Sequence, residues 1–147
     1  MKRLATIRTL TDAGIPCGVI AAPIIPGLND HELESIIAAG RDTGATLASY
    51  ILLRLPLQVS GLFKEWLETY EPNKAKQVMN LLAETRDDKN HQTEFSSRLK
   101  GTGEYTALLA KRFELIIKRL GYRGQSYELD TNQFKHPLRQ DRQLALF

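Results

Sequence analysis

Leu4, Ile7 and Leu10 recur at helical spacing with Thr11 on the same side, and Gly14 and Pro16 close the run. Residues 17–25 are then almost continuously apolar, with no period of two. That is how a strand buried on both faces of a parallel sheet reads. Pro23 cannot donate to a ladder and belongs near the strand's end. After the loop 26–29, Asn29 can cap a second helix with Glu32 at its third position, and Leu28 and Leu33 flank the pair at staple spacing. Leu33, Ile36, Ile37 and Gly40 share one face, and Gly44 ends the helix. A second apolar strand, residues 47–55, stops at Pro56.

Residues 2–55 therefore read helix, strand, helix, strand, the alternation that builds parallel sheets with helical crossovers. Two strands do not make a stable parallel sheet, and a complete barrel takes about 250 residues. The chain reads as the tail of a larger α/β domain. Beyond Pro56 the period is helical. Ser60 can cap a helix with Leu62, Phe63, Trp66, Leu67 and Tyr70, and Pro72 interrupts it. Val78, Met79, Leu81 and Leu82 form another helix starting near Asn73. Residues 87–103 are polar and irregular. The longest helix runs from about Glu104 to Leu120, with Leu109, Phe113, Ile116, Ile117 and Leu120 inward and Gly121 as its stop. The organisation expected is 1–56, the distal part of an α/β domain; 57–121, a helical region; and 122–147, an extended tail.

Composition narrows this picture. Of 147 residues, 42% are hydrophobic and 25% charged, which excludes a disordered chain, a collagen-like repeat and a disulfide scaffold. No apolar run approaches the ~20 residues that span a bilayer, and no export signal is present, so a cytoplasmic setting is expected. Cys17 is the only cysteine, so the chain cannot build a multi-cysteine metal site. The net charge of +3 is uneven: residues 1–73 carry 6 basic and 8 acidic side chains, residues 74–147 carry 14 and 9. Seven basic residues (Arg98, Lys100, Lys111, Arg112, Lys118, Arg119, Arg123) crowd into 98–123. They are either a solvated helix face or a surface for a polyanion such as DNA.

Candidate chemistry belongs at the carboxyl ends of the strands, where parallel α/β sheets bind ligands. Gly27 permits close backbone approach there, and the helix after Asn29 offers free N–H groups; a plain strand–turn–helix joint is the alternative. Arg54 interrupts an apolar run, so its guanidinium either meets an anionic group or ligand, or extends outward to water. Tyr50 reads as core and Cys17 as a small buried residue. His31, His91 and His136 have no partners at ligand spacing. The segment 98–105 has the glycines of a phosphate loop but not its other parts.

Residues 22–32, Ala-Pro-Ile-Ile-Pro-Gly-Leu-Asn-Asp-His-Glu, resemble the fifth-strand region of radical S-adenosylmethionine (radical SAM) enzymes, in the branch related to spore photoproduct lyase. The resemblance continues through 3–16 as the preceding helix and 50–57 as the sixth strand. Residues 62–67, 98–105 and 111–113 are similar to that branch's C-terminal region. It implies the C-terminal part of a partial (β/α)6 barrel, two parallel strands with crossover helices, followed by helices. The family's barrel holds a [4Fe–4S] cluster on a Cys-x3-Cys-x2-Cys motif. SAM completes the cluster's coordination, and its reductive cleavage yields a 5′-deoxyadenosyl radical. That motif is absent here, so this chain cannot ligate the cluster alone. A truncated gene, a split subunit and an internal start each account for this, and each makes the barrel's N-terminal half the chain's partner. The resemblance implies that Pro23, Ile24, Pro26, Gly27 and Asn29 pack against the adenosine part of SAM and that Arg54 faces the same cavity. The terminal Gln143, Leu144, Ala145, Leu146 and Phe147 are similar to the Gln-Leu-x-Leu-Phe peptide by which bacterial repair and replication proteins dock on the sliding clamp. With the basic segment, this peptide implies a DNA-related substrate. A non-catalytic module that binds DNA or the clamp is the alternative reading.

Overall fold

The structure is a computed structural model and describes residues 2–85, 103–122 and 131–133. The chain is α/β and mostly helical, with five α-helices and one two-stranded parallel sheet among these residues. In order they are α1 (Lys2–Asp12), β1 (Gly18–Ile24), a 3-10 turn (Asp30–Glu32), α2 (Leu33–Asp42), β2 (Leu47–Leu52), α3 (Leu57–Tyr70), α4 (Pro72–Glu84) and α5 (Glu104–Arg119), then a 3-10 turn at Thr131–Gln133. No helix among the described residues is long and apolar enough to cross a membrane. The expected irregular segment 87–103 lies outside the described residues except for Gly103, as does nearly all of the tail.

The strands pair in parallel, Gly18 opposite Leu47, Ile20 opposite Ser49 and Ala21 opposite Tyr50. The register breaks between Ala21 and Ile24 and recovers at Ile24 opposite Leu52. Pro23 lies in that break, where its missing N–H leaves no ladder bond unmade, and the Ala22–Pro23 peptide bond is cis. Leu53 N–H then donates to the Ile24 carbonyl, extending the pairing past the strand ends.

Helices cover one face of the sheet. Val19 lies against Gly40 of α2, so closely that a side chain at Gly40 would collide with it. Ala21, Ala48, Tyr50 and Leu52 join Leu33 and Ile37 of α2 and Leu109 and Ile116 of α5 in the first core. The Tyr50 ring tilts against Phe113 at 4.9 Å, and Ile7 of α1 packs at the margin. By strand alternation the other face carries Gly18, Ile20, Ala22, Leu47, Ser49 and Ile51. Ile20 there is 61% exposed, Gly18 and Ala22 are also exposed, and the three β2 residues are half-buried. The expectation of a β1 buried on both faces is corrected: among the described residues nothing covers the second face.

A second core lies beyond the carboxyl ends of the strands. Leu67, Ala75, Val78 and Leu82 of α3 and α4 surround Leu55, with Ile25, Leu28 and Leu53 packed alongside. Leu28 and Leu33 thus serve different cores and do not form the expected staple. α3 begins at Leu57, directly after Pro56, and not at Ser60. Proline's extended backbone gives the chain its entry angle without a capping side chain. α4 opens on Pro72 at its first turn, where a missing N–H costs no helical bond. α5 follows its sequence pattern closely: Leu109 and Ile116 are buried, and Phe113, Ile117 and Leu120 pack beside them.

Candidate functional site

The turn from β1 to α2 is built by Asn29. Its Oδ1 accepts the Ile25 N–H at 2.7 Å, and its Nδ2 donates to the Pro23 carbonyl at 3.1 Å. These bonds use both ends of the amide, so Asn29 does not cap the following helix with its side chain, contrary to the capping expected from sequence. The backbone it satisfies lies at the start of the loop, which Leu28 and Asn29 N–H close by donating to the Ile25 carbonyl. Gly27 has φ +73, and a Cβ there would come within 3.1 Å of Leu81 on α4. The backbone angle requires glycine, and any side chain there would also press on Leu81.

The sequence candidates divide by burial. Pro23 is exposed at the end of β1, and Arg54 is exposed just beyond β2. Among the described residues Arg54 has no hydrogen-bond or ion-pair partner. Ile24 is 1% exposed within the first core, and Pro26 is fully buried. Gly27 and Asn29 are half-buried behind the loop. The turn thus shows Pro23 outward, while Ile24, Pro26 and Asn29 hold it from inside. Tyr50 is buried as expected, Cys17 is half-buried at the opposite end of β1, and His31 is exposed. Gln143, Leu144, Leu146 and Phe147, with His91 and His136, lie outside the described residues.

The strongest polar cluster at this end involves residues that sequence reading did not join. Nε and Nη2 of Arg112 on α5 donate to the two carboxylate oxygens of Glu34, both at 2.8 Å. Nη2 also donates to the Asp30 carbonyl at 2.9 Å, and Nη1 to Asp30 Oδ2 at 3.2 Å. A planar fork with several donors suits this pair of carboxylates, and a lysine would not. Two turns earlier on α5, the Tyr105 hydroxyl accepts the Gly27 N–H at 3.4 Å, beside the Asp30 carboxylate. α5 therefore grips both ends of residues 27–30.

The electrostatics follow from these contacts. The Arg112 hydrogen bonds hold the Glu34 carboxyl below its usual range, against the opposing effects of burial and of nearby Asp30. Glu34 in turn raises the Arg112 guanidinium. Burial, then the bond to Asp30 and its negative charge, pushes the Tyr105 hydroxyl up to about 12. At neutral pH the phenol stays protonated. A signal for this cluster was in the sequence: Tyr105, Leu109, Arg112 and Ile116 form one inward stripe of α5, and two polar residues interrupt it. Within the basic segment, Arg112 is thus consumed internally, and Lys111 pairs with Glu114 on the surface at 2.9 Å.

No group of three or more His, Cys, Asp or Glu side chains among the described residues could hold a metal ion. The arrangement offers an open apolar sheet face, an exposed cation beside it in sequence, and a loop anchored from behind. No family model matches the chain, and neither a curated protein nor a solved structure matches it.

Proposed function

We propose that the chain is the distal part of a radical SAM barrel, whose open sheet face forms part of the wall of the SAM cavity. The observation that carries this reading is the mismatch on β1 and β2. Their sequences are apolar on both faces, yet helices α1, α2 and α5 lie to one side and leave Ile20 exposed on the other. A barrel wall has this form, with helices outside and a second apolar or ligand-lined face inside. The resemblance of residues 22–32 and 50–57 to the fifth and sixth barrel strands supports the same assignment.

The residues present do not fit an iron–sulfur cluster, because Cys17 is a single thiol at the other end of β1. No step through the cluster is assigned to this chain. The residues do fit one side of a nucleoside-bearing cofactor. Ile20, Ala22 and Pro23 offer apolar surface to a purine, and Arg54 offers a guanidinium to a carboxylate. When bound at a reduced cluster, SAM supplies the 5′-deoxyadenosyl radical; this chain's part is to bind and orient it. Pro23 touches the adenosine side, while Ile24, Pro26, Gly27 and Asn29 fix the turn that presents it. The setting is cytoplasmic and the substrate DNA-related. The terminal residues 143–147 dock the enzyme on the sliding clamp.

The test is to sequence the DNA upstream of codon 1, then to produce this chain with the cysteine-bearing part it reveals. The expected result is a Cys-x3-Cys-x2-Cys motif, an iron–sulfur absorbance and cleavage of SAM to methionine and 5′-deoxyadenosine. Absence of the motif from all three upstream frames and from neighbouring genes overturns the catalytic reading and leaves a DNA- or clamp-binding module. In the active enzyme, Arg54→Ala should weaken SAM binding about tenfold. Deleting 143–147 should abolish clamp binding and leave SAM cleavage intact.

A further inference from the structure

We infer that Tyr105 and Arg112 are positioning residues that set the affinity of the carboxyl-end site by fixing the 27–30 turn. This inference rests on the proposed function and adds a part of the molecule, α5, that is remote in sequence from the SAM wall.

Asn29 links Pro23 to Ile25, so it braces the first half of the loop from within. The second half has different anchors. Gly27 N–H is bound by Tyr105, and both the carbonyl and the carboxylate of Asp30 are bound by Arg112. Both anchors project from one rigid helix, packed against the sheet through Leu109 and Ile116. Arg112 is itself oriented by its two bonds to Glu34, on the first turn of α2. The loop is therefore clamped between α2 and α5. Neither Tyr105 nor Arg112 is needed to neutralise a ligand: the guanidinium already faces two carboxylates. Their effect on a ligand comes through the position of Pro23 and the backbone around it, and small displacements at such a wall cost binding steeply.

The substitutions Tyr105→Phe and Arg112→Lys test this while keeping ring and charge, respectively. In the SAM-cleaving enzyme produced as above, each should raise KM for SAM about tenfold, with kcat and cluster absorbance unchanged. Lys111→Gln, on the exposed side of α5, should change none of these. In the same preparations, Tyr105→Phe should accelerate amide exchange at Gly27 while exchange in β2 stays as it was. Faster exchange at Gly27 with an unchanged KM in both variants overturns the inference and leaves a purely structural clamp. Unchanged exchange at Gly27 overturns it as well, because the turn is then fixed without Tyr105. A fall in kcat with loss of cluster absorbance also overturns it, since the effect is then on folding of the whole enzyme. Failure of the proposed function appears separately, as an unsubstituted protein that neither holds a cluster nor cleaves SAM.

Discussion

The two cores of this molecule are held by different physics. In the first, apolar burial is reinforced by side chains that reach far along the chain. Arg112 ties α5 to Asp30 and Glu34. Arg41 donates to the Leu120 and Ala45 carbonyls and lies 5.5 Å from the centre of the Tyr122 ring, while the Tyr122 hydroxyl donates to the Ile37 carbonyl at 2.7 Å. Thr11 and Arg8 of α1 reach the carbonyls at the end of α2. The α3–α4 hairpin has none of these among the described residues. Its ion pairs, Lys64–Glu68 and Lys74–Glu71, join near neighbours at the surface. Its outer face bears a row of rings that runs from Phe63, at the margin of the second core, over Trp66 to Tyr70, and the last two are exposed. The contrast teaches that the hairpin docks by a small apolar contact alone, so it should open at lower free energy than the sheet and its helices.

The largest test of this contrast is a matched pair of core truncations. Ile37 and Leu67 are both 0% exposed, one in each core. Each truncation to alanine removes about 3 kcal/mol of packing. Ile37→Ala should lower the midpoint of the whole unfolding transition, seen by circular dichroism and by loss of amide protection in β1, β2, α2 and α5 together. Leu67→Ala should release protection in α3 and α4 while the sheet keeps most of its own. Equal loss in both regions for both variants would show one cooperative unit and remove the distinction.

A smaller effect is expected from Arg112→Ala. The change deletes a bidentate pair and leaves Asp30 and Glu34 facing each other without a cation. Because the three side chains are only partly buried, water recovers some of the loss, and about 2 kcal/mol is expected. Urea denaturation should record it as a lower midpoint at an unchanged slope. Protection should fall first at the junction of α2 and α5, with α3 and α4 unaffected.

Much of the first core was legible because its signals are local and periodic. The α2 stripe Leu33, Ile37 and Gly40 and the α5 stripe Leu109 and Ile116 are buried as their spacing required. The open sheet face was misread for a definite reason. A continuous apolar strand reports that both faces are suited to burial, but not that a covering layer lies within the same chain. The site was less legible still. Asn29 looked like a helix cap because its position before an acidic turn fits one, yet its amide instead satisfies the Ile25 N–H and the Pro23 carbonyl at the start of the loop. Arg112 looked like one charge among seven, since its carboxylate partners lie 78 and 82 residues away and no local period joins them.

The smallest expected effect separates the regions by pH. Burial and the Asp30 carboxylate raise the Tyr105 hydroxyl to about 12, whereas an unfolded tyrosine titrates near 10. Between those values the folded state holds a proton that the unfolded state has released. Stability from this group is therefore fully present below pH 10 and is lost as pH rises towards 12. Buried Tyr50 and Tyr122 are shifted in the same direction and add to the slope. All three belong to the first core or its clamp, so alkaline titration should lower the melting temperature of that region ahead of α3 and α4. Tyr105→Phe should flatten the slope between pH 10 and 12 without removing it, because the other two phenols still titrate. A slope identical in the variant would mean that the Tyr105 hydroxyl titrates alike in the folded and the unfolded chain, and this group would then not distinguish the two regions.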